Sequence, residues 1–146
     1  MRRVRLSILA VTTVLLTVSA CSAMLNLMIS GEFDRPEVTF DGGRRACVDH
    51  LEVYATGPSR AVLWAVRTEG SRCVKLRRIV YGETPAGFLV VIPVTPLRTD
   101  VVYEAFGRGW TKHPLSNVPW AGSVRFHFRD GEWRVLPTSS VVTGPS

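Results

Sequence analysis

From Ser123 to Arg129 polar and apolar residues alternate without a break. Val124, Phe126 and Phe128 fall on one side, and Ser123, Arg125, His127 and Arg129 on the other. A period of two is the geometry of a half-buried strand and is incompatible with a helix. Asp130-Gly131 follows, a dipeptide suited to the two positive φ angles of a tight hairpin turn. The chain then returns through Glu132–Pro137, with Trp133 and Val135 expected inward.

The same grammar recurs upstream. Pro36–Phe40 alternates and ends at Asp41-Gly42-Gly43, and Ala46–Ala55 alternates and ends at Gly57-Pro58-Ser59. Ala61–Thr68 and Cys73–Tyr81 are rich in strand formers and are separated by Glu69-Gly70-Ser71. Gly87–Val94 is the most apolar run after residue 20. It is too short for a helix that Pro93 would break, so it reads as a strand buried on both faces. Val101–Gly107 is a further short strand. Residues 107–122 hold Gly107, Gly109, Pro114, Pro119 and Gly122 and read as a long loop. Turn signals near every tenth residue predict an all-β fold, an immunoglobulin-like or related β-sandwich of about seven to eight antiparallel strands.

The N-terminus follows a different rule. Arg2, Arg3 and Arg5 precede an uncharged run from Leu6 to Val18. A basic start before a short apolar stretch is a secretory signal, and this stretch falls short of the about 20 residues of a spanning helix. Val18-Ser19-Ala20-Cys21 resembles the bacterial lipobox. That resemblance implies diacylglyceryl transfer to the Cys21 thiol, cleavage before Cys21, and acylation of the new amine. With Ser22 next, it also implies an outer-membrane address with the domain facing the periplasm. The segment Tyr81–Phe88 resembles the central turn of small proteobacterial lipoproteins, a likeness that implies no activity.

The expected organisation is a signal peptide over 1–20, a lipid-anchored tether over 21–34 (with a first strand as the competing reading of 22–33), a β-sandwich over 35–137 and a flexible tail over 138–146. Cleavage removes three of 18 basic residues, so 15 stand against 12 acidic ones and the charge falls from +6 to +3. No dense basic tract interleaved with aromatics points to nucleic acid.

With Cys21 assigned to lipid, Cys47 and Cys73 remain as an even pair. In an oxidising compartment they are expected to bond, against the alternatives of two buried thiols or a zinc site. Zinc wants four ligands, and no CxxC or HxxxH spacing supplies them, so no metal or cofactor is expected.

No nucleophile elbow or phosphate-binding glycine loop is present, and no catalytic residue is assigned. His50, His113 and His127 are scattered and read as surface or packing residues. Glu104 offers half of a carboxylate pair with Asp100 or Glu83, or else faces solvent. Arg72, Lys75, Arg77 and Arg78, joined by Arg44 and Arg45 if their strands are neighbours, form a basic patch. It suits anionic headgroups or an acidic partner, or is simply a solvated face. The 107–122 segment brings Trp110, His113, Leu115 and Trp120 together as a binding loop, unless the tryptophans plug the core, with Trp110 expected to be the exposed one. The function expected is a non-enzymatic envelope lipoprotein that binds a protein partner or has a structural role. The alternatives are a small-molecule or lipid carrier and an envelope hydrolase.

Overall fold

The computed structural model describes residues 23–41, 46–112 and 114–137. Among these residues ten strands form two sheets: β1 (Ala23–Met24), β2 (Asn26–Gly31), β3 (Pro36–Asp41), β4 (Ala46–Ala55), β5 (Val62–Thr68), β6 (Arg78–Val80), β7 (Phe88–Ile92), β8 (Tyr103–Lys112), β9 (Asn117–Arg129) and β10 (Glu132–Leu136). The larger sheet runs β1-β9-β8-β4-β5-β7, with β10 also on β9, and the smaller runs β2-β3-β6. Every pairing is antiparallel except β1 with β9. The fold is therefore all-β, as the alternation predicts.

The smaller sheet lies on one face of the larger. Leu27 and Ile29 of β2, Val38 and Phe40 of β3 and Ile79 of β6 meet Val48, Leu51 and Val53 of β4, Trp64 and Val66 of β5, and Trp120, Val124 and Phe126 of β9. Phe40 packs on Trp120 with ring centres 5.9 Å apart, and Trp64 meets the Tyr81 ring edge-on at 5.3 Å. Phe33 stacks on Trp133, whose Nε1 donates to the Glu32 carbonyl at 3.0 Å. The β9–β10 turn is the one the dipeptide predicts, with φ of 56° at Asp130 and 82° at Gly131.

Cys47 and Cys73 are bonded, with Cα atoms 5.4 Å apart. In chain-entropy terms, closing a loop of this size contributes about 3–4 kcal/mol. Cys73 itself lies in the connection between β5 and β6, beside a single bridge from Val74 to Val48. The bond therefore ties β4 to a connection rather than to a second strand.

Four expectations need correcting. Residues 107–122 are not a loop: β8 and β9 pair from Tyr103↔Phe126 to Lys112↔Asn117. The glycines are there for space. Gly107, Gly109 and Gly122 all face inward, where the smaller sheet and the Trp120 indole come close to the backbone. Among the described residues Pro119 is bordered by β8 alone, one residue before the β1 pairing begins at Trp120.

The tether expected over 21–34 is, from residue 23, part of both sheets, with Leu25, Leu27 and Ile29 buried. Alternating leucine and isoleucine opposite Phe40 and Val38 gain more from the core than from solvent or headgroups.

The apolar run 87–94 is not buried on both faces. Phe88 is buried, but Leu89, Val90, Val91 and Val94 are 46–49% exposed, because β7 ends the sheet and pairs only with β5. Val135 is 57% exposed although it shares a face with buried Trp133. It stands on β10, which pairs with β9, while Phe33 stacks on Trp133. The expectations for residues 1–20 and 138–146 fall outside the described residues.

Candidate functional site

Among the described residues no strand lies beyond β7, whose outer edge is unusual in composition. Edge strands ordinarily carry a charge, a proline or a bulge that discourages pairing with another chain. Phe88–Ile92 carries no charged residue, and Pro93 comes only after its last residue. Its partner β5 supplies Thr68, Arg67, Val66 and Ala65 opposite Phe88, Leu89, Val90 and Ile92, which fixes the strand firmly on one side only. Val66 pairs with Val90 and Ala65 with Ile92, so the register skips Val91 and β7 itself carries one irregularity there.

Beyond Pro93 the chain leads directly into a groove of about 480 Å³ lined by Phe33, Tyr81, Val94, Pro96 and Leu97, with Arg35 and Glu83 forming an ion pair at its rim. The Tyr81 hydroxyl donates to the Thr95 carbonyl at 2.6 Å, which pins this segment against β6. Burial pushes the Tyr81 phenol up to about 12. The groove's walls are thus mainly apolar and held by a buried tyrosine, while Arg35 and Glu83 pair with one another and Asp34 adds a further carboxylate.

A second cleft, of about 470 Å³, opens on the far side of β4, lined by the Cys47–Cys73 bond, Asp49, Ser71, Trp110, Lys112 and Asn117. Trp110 is 38% exposed there. Trp120, only ten residues on, is buried at 2% and donates from Nε1 to the Cys47 carbonyl at 2.8 Å. The two tryptophans therefore divide as the sequence suggests, Trp110 outside and Trp120 in the core. Opposite sides of a ladder explain it: Trp110 pairs with Pro119 and Trp120 with Gly109, so their side chains leave the sheet on different faces. Leu115 is 91% exposed at the hairpin tip, and His113 lies outside the described residues.

Arg72, Lys75, Arg77 and Arg78 are all exposed along the connection into β6, and Arg78 reaches Glu37 at 3.3 Å. Arg44, Arg45 and Cys21 lie outside the described residues. Glu104 joins no carboxylate pair with its two candidates, since Asp100 binds Arg98 at 2.8 Å and Glu83 binds Arg35. Instead Glu104 lies opposite Tyr54 across the β4–β8 ladder. Burial first, and the hydrogen bond to Glu104 second, raise the Tyr54 phenol to about 12, while the Arg60 guanidinium sits 4.3 Å above its ring. His50 Nε2 lies 3.3 Å from Glu52 Oε2 on β4, and His127 is two strands away on β9.

The β7 edge and the groove behind it were missed in the sequence because an uncharged run normally marks a central strand. Pro93 and Pro96 close behind it were the available signal, since proline gathers at sheet edges. No protein-family model, no curated protein and no solved structure matches this chain.

Proposed function

We propose that this chain is a lipid-anchored envelope protein whose domain acts by binding a protein partner, and that the partner adds an extended, uncharged segment to the free edge of β7. The observation that carries the reading is the uncharged edge with Leu89, Val90 and Val91 each 46–48% exposed. Main-chain groups on such an edge supply affinity for an incoming strand, and its side chains supply selectivity. A charged partner strand would set its charge against valine and leucine with no counter-charge on β7, which selects an apolar one. The lipid anchor is supported by cysteine usage. Cys47 and Cys73 consume each other, leaving Cys21, at the lipobox-like site, as the third cysteine. The same reading takes the stacked sheets as related to immunoglobulin-like sandwiches. The facing cores support that likeness, while the disulfide does not cross between sheets as it does in antibody domains.

Photo-crosslinkers placed singly at Leu89 and Val91 of the full acylated protein test the partner. Adducts should fall on one partner segment, two residues apart, as a ladder requires, and Val90→Lys should abolish them without lowering the melting temperature. Adducts scattered over unrelated sequences, or none at either position, refute strand addition. The groove behind β7 favours a second reading, a carrier of a small apolar ligand, because its volume and mainly apolar lining fall in the range of ligand sites.

A further inference from the structure

Among the described residues the one parallel pairing of the larger sheet, β1 with β9, sets where a lipid on Cys21 would lie. Ala23 lies opposite Trp120 and Met24 opposite Ala121, and the Leu25 N–H donates to the Ala121 carbonyl at 3.3 Å. Because β1 runs in the same direction as β9, the start of β1 is at the same end of the molecule as the start of β9. That end is the tip of the β8–β9 hairpin, whose last pair is Lys112↔Asn117. Cys21 is two residues before Ala23 and cannot be farther from it than about 7 Å, the reach of two extended residues. Since residues 23–31 belong to the sheets, no slack remains between an anchor at Cys21 and the folded domain.

The described surface at this end suits a bilayer. Leu115 is 91% exposed and Trp110 38%, and exposed Lys112 lies between them in the sequence; Asp49 lines the same cleft as Trp110 and Lys112, and the β5–β6 turn, whose Ser71 also lines it, carries exposed Glu69 and Arg72. The opposite end has a different character: its turns carry exposed Glu32, Asp34, Arg35 and Asp130. A leucine standing almost wholly in water on a paired hairpin, with a tryptophan and a lysine behind it, is the order of residues found across a membrane interface. Apolar groups lie deepest, the amphipathic ring sits at headgroup level, and the cation faces anionic lipid.

We propose that the β8–β9 hairpin tip is a second membrane contact, with Leu115 inserted among the acyl chains and Trp110 and Lys112 at the headgroups, so that lipid and hairpin together fix how the domain stands on the bilayer. This rests on the reading of Cys21 as lipid-bearing. One acyl attachment alone leaves a domain free to swivel, whereas two contacts held side by side do not. The turns that carry Glu32, Asp34, Arg35 and Asp130 then point away from the membrane.

The test uses the acylated protein reconstituted in vesicles of phosphatidylethanolamine and phosphatidylglycerol. An environment-sensitive fluorophore is attached in Leu115→Cys and, as the far-end control, in Asp34→Cys, with the native disulfide intact. The label at 115 should show blue-shifted emission and quenching by nitroxide on the lipid chains, and the label at 34 should show neither. Water-like emission at both positions, with an acylated Cys21 confirmed by mass spectrometry of the same sample, overturns the hairpin contact and leaves the anchor standing. An unmodified Cys21 overturns both.

Discussion

Alanine in place of Gly109 should destabilise the domain, although local propensity argues the reverse. In a strand interior, glycine is less favourable than alanine by about 0.5–1 kcal/mol because it gives up more backbone freedom. If residues 107–122 were a loop, or a strand facing open space, Gly109→Ala would be neutral or stabilising. The structure decides otherwise. A Cβ built on Gly109 falls inside the contact radius of the Cys47 carbonyl oxygen and 2.9 Å from Trp120 Nε1, the atom that donates to that oxygen. The added methyl thus forces apart two β-strands or breaks a buried hydrogen bond. Overpacking of this kind costs about 1–3 kcal/mol and exceeds the propensity gain. Gly122→Ala should behave alike, since its Cβ runs into the Leu25 carbonyl and lies 2.8 Å from Leu27 Cδ1. Gly107→Ala should be milder, because its nearest neighbour is the Phe40 ring at 3.0 Å, a side chain that can shift. Gly57→Ala, with nothing within 4 Å, is the control. Urea unfolding of the oxidised domain reads the series. With a slope of about 1–3 kcal/mol per molar, the Gly109 and Gly122 variants should lose on the order of 1 M from the midpoint. A Gly109→Ala midpoint equal to or above that of the parent and of Gly57→Ala would refute the close approach.

The two tryptophans should separate in the same assay: Trp120→Ala should cost about 3–5 kcal/mol, and Trp110→Ala about 0.5 kcal/mol or less, as surface changes do. Comparable losses from both would contradict the opposite-face assignment. Stability should also fall in alkali. Tyr54 and Tyr81 are raised to about 12 in the fold against about 10 in the unfolded chain, so the folded state holds their protons more tightly. Their contribution is complete below pH 10 and is lost as pH rises from 10 through 12. Tyr81→Phe should flatten that decline in a series of urea midpoints, and an unchanged slope would show that Tyr81 is not the group responsible.

Much of this protein follows from the sequence alone, wherever the physics is local. The alternation of Ser123–Arg129 and the Asp130-Gly131 turn specify a hairpin because both depend only on neighbouring backbone angles. The pairing of Cys47 with Cys73 follows from counting cysteines under the expectation of an oxidising compartment, and the exposure of Trp110 from its polar neighbours. The remaining features, including those that carry the proposed binding, depend on what lies across the sheet. Gly107, Gly109 and Gly122 look like loop residues until Trp120, Phe40 and Leu25 are placed above them. Phe88–Ile92 looks like a central strand until the strand order leaves nothing beyond it. Residues 23–31 look like a tether until Val38 and Phe40 are found opposite Ile29 and Leu27. Apolar composition reports that a segment will seek cover; only the tertiary arrangement determines whether the chain itself supplies that cover or leaves it to a partner or a membrane.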